Sequence, residues 1–290
     1  LLAVLALVVV KALVGSPWGT FAVVSTIPIA ILMGVYSRFI RPGRIGEMSV
    51  IGFILLMAAL FYGRTVSETP ELARLFNWSG ENLALAIIGY GFVASVLPVW
   101  LLLAPRDYLS TFLKIGTITL LAIGIIIVRP DLKMPAVTRF VDGSGPVWAG
   151  TLFPFLFITI ACGAVSGFHS LIASGTTPKL IENEGQLRFV GYGGMLMESF
   201  VAIMALISAT VIEPGVYFAM NSPAGLIGTN VAQAAQVISG WGFAITPDML
   251  TQLAKDVGEQ TVLSRTGGAP TLAVGMAHIL SGLLGGQTLM

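Results

Sequence analysis

The chain has 290 residues, 56% of them hydrophobic and only 10% charged, with a mean hydropathy of +0.90. Soluble domains carry about 25% charged residues, so an ordinary water-soluble domain is excluded. A formal net charge of +1 offers no field for nucleic acid or an acidic partner, and a lone cysteine, Cys162, excludes a disulfide framework and any zinc-ligand spacing, so no metal and no cofactor is expected.

A helix crosses the hydrocarbon core of a bilayer with about 20 apolar residues. Runs of that kind predict spans at Leu1–Val14 (cut short), Trp18–Ser37, Ile45–Gly63, Leu83–Ala104, Leu109–Val128, Gly150–Ser174, Arg188–Ile212 and from Pro270 onward, six whole and two partial. All must be helical, because lipid satisfies no backbone group; barrel strands would be about half as long and would alternate in polarity. The expected fold is therefore an all-α integral membrane bundle, residues 1–290 forming one transmembrane domain. The opening LLAVLALVVV and the closing GLLGGQTLM both read as interrupted apolar segments, so the chain is expected to be an internal piece of a longer protein.

Basic residues assign the sides. Arg38, Arg41 and Arg44 crowd the loop after the second run, Arg106 sits in the short connection APRDY, and Lys179 and Arg188 flank the connection after the sixth run. If every run crosses, these three connections share one side, which the positive-inside rule makes cytoplasmic. Ser16–Pro17, Arg64–Asn82, Arg129–Ala149 and the long 213–269 connection then share the outer side. Within that last connection Thr246-Pro247 has the form of an N-cap followed by a first-turn proline. Leu250, Leu253, Ala254 and Val257 follow at helical spacing, and Gly258 is a plausible stop. A short amphipathic helix on the outer face is expected there.

Several residues do not belong in lipid. On a helix starting at Gly150, Thr159, Cys162, Gly163, Ser166, His169, Ser170 and Ala173 share one face, opposite Phe157, Ile160, Ala164, Phe168 and Leu171. One reading is close packing through the GxxxG pair Gly163 and Gly167, with His169 hydrogen-bonded to a neighbour. The other is a loosened helix whose Cys162, Gly163, Ser166, Gly167, His169 and Ser170 line a solute site. Glu198, near the middle of its run, has Gly191, Gly194, Ala202, Ala205 and Ser208 on or beside its face. It is either a proton- or substrate-handling group or a neutral carboxyl bonded across helices. Lys114 can snorkel or pair with Asp107, Glu47 is interfacial beside the basic loop, and His278 can face a cavity or a partner helix. Pro28 and Pro98 are expected to kink their spans, with Ser25, Thr26 and Ser95 at hand for the freed backbone.

Five long blocks occur in order: RPGRIGEMSVIG (Arg41–Gly52), LPVWLLLAPRDYLSTFLKIG (Leu97–Gly116), PFLFITIACGAVSGFHSLIASGTTPK (Pro154–Lys179), RFVGYGGMLMESFVAIMAL (Arg188–Leu206) and GGAPTLAVGMAH (Gly267–His278). Together they make the chain resemble the carbon-starvation protein family, CstA. The resemblance implies a bacterial inner-membrane transporter induced when carbon runs short, associated with uptake of peptides and of pyruvate. It also implies a relation to the amino acid–polyamine–cation transporters, with their inverted-repeat fold and discontinuous helices. No substrate-contact motif comes with it, so the site residues rest on the physical reading above.

The favoured expectation is a proton-coupled secondary transporter for a small carboxylated solute, peptide or pyruvate, with Glu198 or His169 changing protonation as the bundle rocks. A sensor or scaffold that binds solute without moving it is a second possibility. An intramembrane serine hydrolase is a third; it would need a base for Ser166, yet His169 is only three residues along the same helix and the sequence reads GAVSG. No ring of carboxylates or carbonyl filter marks a channel.

Overall fold

A computed structural model describes residues 2–154, 181, 183–257, 259–266 and 268–283. Among them every regular element is a helix: α1 (Leu2–Leu13), α2 (Pro17–Val35, continued by a π-helical turn Tyr36–Ile40), α3 (Ile45–Glu68), α4 (Pro70–Phe76), α5 (Gly80–Val96), α6 (Leu103–Val128), α7 (Leu187–Val211), α8 (Pro214–Asn221), α9 (Ala224–Ile227), α10 (Val231–Gly240), α11 (Pro247–Asp256) and α12 (Ala269–Leu283). Four helices are long and apolar enough to cross a membrane (α2 with its π turn, α3, α6, and α7 with the 3-10 turn before it), and α4 with α5, bent by 59°, makes a fifth if the pair counts as one span. The expected all-α polytopic bundle is what these residues form. Most of the predicted sixth span, from Phe155, lies outside the described residues.

Two boundaries differ from the sequence reading, for one reason. Pro98 does not kink a span; it ends one. Leu97, just before it, is extended (φ −69°, ψ 149°), the conformation a following proline imposes. The run Leu83–Ala104 is therefore a helix from Gly80 to Val96, and Ala104 already belongs to α6, whose first turn carries Pro105 where a missing N–H does no harm. Arg106 is consequently helical rather than part of a loop. Pro28 stays inside α2, where Ser25 donates to the Phe21 carbonyl at 2.8 Å and Thr26 to that of Val23 at 2.6 Å.

α2 is the hub: it packs on α3, α6 and α4, while α12 packs between α6 and α7. Lipid supplies no hydrophobic force between helices, so close backbone approach holds such contacts. A Cβ on Gly34 of α2 would stand 2.6 Å from the Leu101 carbonyl oxygen and 2.8 Å from that of Trp100, in the turn between α5 and α6. A Cβ on Gly275 of α12 would overlap the Ser208 carbonyl of α7. Outward, the spans carry bare apolar side chains such as Phe61, Ile126 and Phe189.

The connections sort into two ends. At one, Arg38 and Phe39 meet the Trp100 ring, and Ser49 and Tyr108 share a hydrogen bond of 2.8 Å. Glu47 is held there by Arg41, Arg44 and the Tyr36 hydroxyl at 3.0–3.3 Å. At the other end, Lys133 pairs with Glu213 at 2.7 Å, and its backbone N–H donates to the Thr210 carbonyl. Phe140 packs into a cluster with Phe218, Trp241 and Phe243. These contacts group the loop after α2 with the turn between α5 and α6, and the 129–149 connection with the 213–269 unit. Single cysteines in place of Arg41 and of Lys255, in an otherwise cysteine-free complete protein, are expected to react with an impermeant maleimide from opposite faces of sealed vesicles; reaction of both from one face would overturn the assignment.

The 213–269 connection is a helical unit with its own apolar core, which includes Phe218, Met220, Ile227, Ile238, Leu250 and Val262. α11 forms as expected: the Thr246 hydroxyl accepts from the Met249 N–H at 3.3 Å, Pro247 opens the helix, and Leu250 and Ala254 are buried. Its expected stop, Gly258, lies outside the described residues. α8, α9 and α10 were not foreseen. Arg265 docks this unit on the bundle. One terminal nitrogen donates to the Lys11 and Val14 carbonyls at 3.2 and 2.6 Å, capping α1, and the other pairs with Glu259. Burial pushes the Glu259 carboxyl up from its ordinary range, while Arg265 and the Ser16 hydroxyl pull the other way. A buried pair of this kind adds little net stability but fixes position, and loss of one partner strands the other. Arg265→Met is expected to destabilise the purified complete protein by about 3–5 kcal/mol through the stranded carboxylate, and Arg265→Met with Glu259→Leu by much less. Thermal unfolding in detergent distinguishes the two outcomes.

Candidate functional site

A cavity of about 390 Å³ opens between α2, α3, α5 and α6. Val23, Leu56, Leu103, Leu109 and Leu113 supply its apolar walls, and Thr26, Tyr90, Arg106, Asp107, Ser110 and Lys114 its polar ones. This is the usual make-up of a small-solute site, mostly apolar with a few convergent polar groups.

Arg106 is the unexpected member. It starts only a turn inside α6, at the end where the bundle carries its basic loops, and a side chain there can snorkel back to water. It does the reverse. Its Nε donates to Thr26 Oγ1 at 3.2 Å. Thr26 is the tenth residue of the 24-residue span Pro17–Ile40, about 14 Å along the helix from one end and about 21 Å from the other. The guanidinium also lies over the Tyr90 ring of α5, its Cζ 4.6 Å from the ring centroid, a cation–π contact. Among the described residues no carboxylate pairs with it. Asp107 next door pairs instead with Lys114 at 3.6 Å, and both of those side chains are largely exposed, so that pair contributes little. The charges of Asp107 and Lys114 cancel, which leaves the cavity with the net positive charge of Arg106.

The close approach at Gly34 sets this geometry, because the turn resting on it leads directly into the first turn of α6. Gly34→Val would force the Leu101 carbonyl outward and shift Arg106 from Thr26. A loss of about 1–3 kcal/mol in thermal unfolding of the complete protein is expected, as for other overpacked contacts.

The residues singled out from sequence are placed as follows. Cys162, Gly163, Ser166, Gly167, His169 and Ser170 lie outside the described residues. Glu198 is in the middle of α7, exposed with respect to the described residues. The buried residues of that helix, Met204, Ser208 and Val211, lie about a fifth to two fifths of a turn around from it, on the helix that packs on α6 and α12. His278 is half-buried on α12. Lys114 and Asp107 pair as anticipated. Sequence reasoning missed Arg106, Tyr90 and Thr26 as a group; the available signal was the Pro98…Pro105 spacing, which puts a helix start just ahead of Arg106. Among the described residues no cluster of three His, Cys, Asp or Glu could hold a metal ion.

A family model described as carbon starvation protein CstA matches residues 1–290. The peptide transporter CstA of Escherichia coli (strain K12) is 68% identical over 99% of this chain and 42% of its own length. The pyruvate/proton symporter BtsT of the same organism is 56% identical, over 98% of this chain and 43% of its own. The peptide transporter CstA of Bacillus subtilis (strain 168) is 44% identical, over 96% and 44%. This chain thus spans about two fifths of the length of the curated relatives it matches. No solved structure matches it. The chain belongs to the carbon starvation protein CstA family.

Proposed function

We propose that this member of the CstA family forms part of the solute pathway of a secondary active transporter. In this reading it imports a small carboxylated nutrient, peptide or pyruvate, across the bacterial inner membrane when carbon is scarce. The observation that carries this reading is an open cavity between apolar helices that holds polar groups at the depth of Thr26, where only lipid-facing or packed side chains would otherwise stand. The names of the relatives support it, one being a peptide transporter and another a pyruvate/proton symporter. Residues 1–290 belong to one transmembrane domain, and the helical unit within 213–269 covers its extracytoplasmic end.

Import is coupled to protons. Glu198 and His169 are the groups that load and release them, and Cys162, Gly163, Ser166, Gly167 and Ser170 face the solute. A carboxyl and an imidazole suit the task, because both can be tuned toward neutral pH inside a membrane. In cells lacking other transporters, the complete protein is expected to accumulate labelled pyruvate or a dipeptide in an uncoupler-sensitive way. Glu198→Gln or His169→Ala is expected to reduce accumulation at least tenfold while leaving protein levels unchanged. Full accumulation in both variants would remove these residues from coupling, and no accumulation by the wild type would remove transport.

A further inference from the structure

We infer that Arg106 is the carboxylate-binding group of the cavity between α2, α3, α5 and α6, with Tyr90 and Thr26 as positioning residues that hold its guanidinium ready. The inference rests on the transport reading above and assigns a subsite to it.

The chemistry follows from what Arg106 does and does not touch. A guanidinium has five N–H donors in a rigid fork and keeps its proton at any working pH. Nε is used by Thr26 Oγ1 at 3.2 Å, and the Tyr90 ring lies 4.6 Å from Cζ. Among the described residues both terminal nitrogens remain without a hydrogen-bond partner, side by side at the end of the fork. Two parallel N–H donors are the complement of a carboxylate, which they bind in bidentate fashion. Thr26 is a neutral partner, so the charge is oriented but not neutralised, and the neighbouring acid, Asp107, is engaged with Lys114. An arginine meant only to anchor α6 would reach the nearby water at its own end. This one is directed the other way, into a cavity of about 390 Å³, ample for pyruvate or a small peptide. The two kinds of solute in the names of the relatives, peptide and pyruvate, have a carboxylate in common. One fixed cation can therefore serve both, with the rest of the pathway choosing between them.

The test uses the complete transporter reconstituted in proteoliposomes, with labelled pyruvate and labelled alanyl-alanine. Unlabelled pyruvate and pyruvamide, or alanyl-alanine and its amide, serve as competitors. The wild type is expected to take up at least one label and to prefer the carboxylate competitor at least tenfold over the amide. Arg106→Gln is expected to raise KM at least tenfold and to abolish that preference. Arg106→Lys, which keeps the charge but not the fork, should fall between. Tyr90→Ala should raise KM with little change in maximal rate per folded molecule, counted by size-exclusion recovery. A wild type that takes up neither label overturns the transport reading and this subsite with it. A wild type that transports, beside an Arg106→Gln variant with unchanged KM and an intact carboxylate preference, overturns the subsite alone; lower thermal stability in that variant would then mark Arg106 as an anchor. Should Arg106→Gln give no folded protein, Arg106→Lys and Tyr90→Ala decide the matter, and wild-type KM and preference in both would overturn it.

Discussion

Inside a bilayer neither a backbone carbonyl nor a guanidinium has water to turn to, and helices feel no hydrophobic pull toward one another. Polar groups there must be satisfied by the protein itself, and helices must meet by shape. Both demands converge on α2. Gly34 lets the carbonyls of Trp100 and Leu101 rest against its backbone, and Thr26, about two turns away, receives the Arg106 guanidinium from the helix that follows those carbonyls. Removing the first contact would misplace the second. The cavity, its one unneutralised charge and the hub position of α2 are therefore consequences of a single helix-to-turn approach.

The 213–269 unit obeys the opposite rule. There the hydrophobic effect operates, and residues 212–263 build an apolar core of the ordinary kind around Phe218, Ile238 and Leu250. Several contacts tie this unit to the rest of the chain. Lys133 meets Glu213, Phe140 enters the aromatic cluster, and Arg265 caps α1. A further buried bond, Asn221 Nδ2 to Thr271 Oγ1 at 2.8 Å, joins α8 to the first turn of α12. Elements far apart in sequence are thereby held to one frame at this end of the bundle.

Much of this was legible in the sequence, and the reason is the period and length of the apolar runs. Where a run was bounded by turn chemistry, as at Ile45 or Leu187, the helix starts at or beside the expected residue. α11 was readable because cap, proline and apolar spacing agree with one another. What failed was the treatment of Pro98 as a kink, since a proline between two apolar stretches does not say whether the helix bends or stops. α8 to α10 were missed because the segments VYFAMN and VAQAAQVISG are too short and mixed to be told from loop before their partners are known. The pairing of Asp107 with Lys114 was readable from spacing alone. The aim of Arg106 was not, because sequence gives a side chain's distance from a helix end but not which neighbour it will reach.

That blind spot explains why the sequence pointed to Glu198 and His169 and passed over Arg106. Ionisable groups deep in a run attract attention, whereas one at a run's edge is read as interfacial. Yet the two kinds of group have different competences. An arginine does not release its proton, so Arg106 can hold an anion but cannot by itself link that binding to a proton gradient. A carboxyl or an imidazole can change charge within the accessible pH range, but for that very reason it is an uncertain anchor for a carboxylate. A proton-linked carrier of carboxylated solutes therefore needs both, a fixed cation that recognises and a titratable group that couples. The cavity beside α2 has the chemistry of the first. The polar stretch around His169 and the mid-helix carboxyl of Glu198 have the chemistry of the second, and the division of labour would place recognition and coupling on different helices of the same bundle.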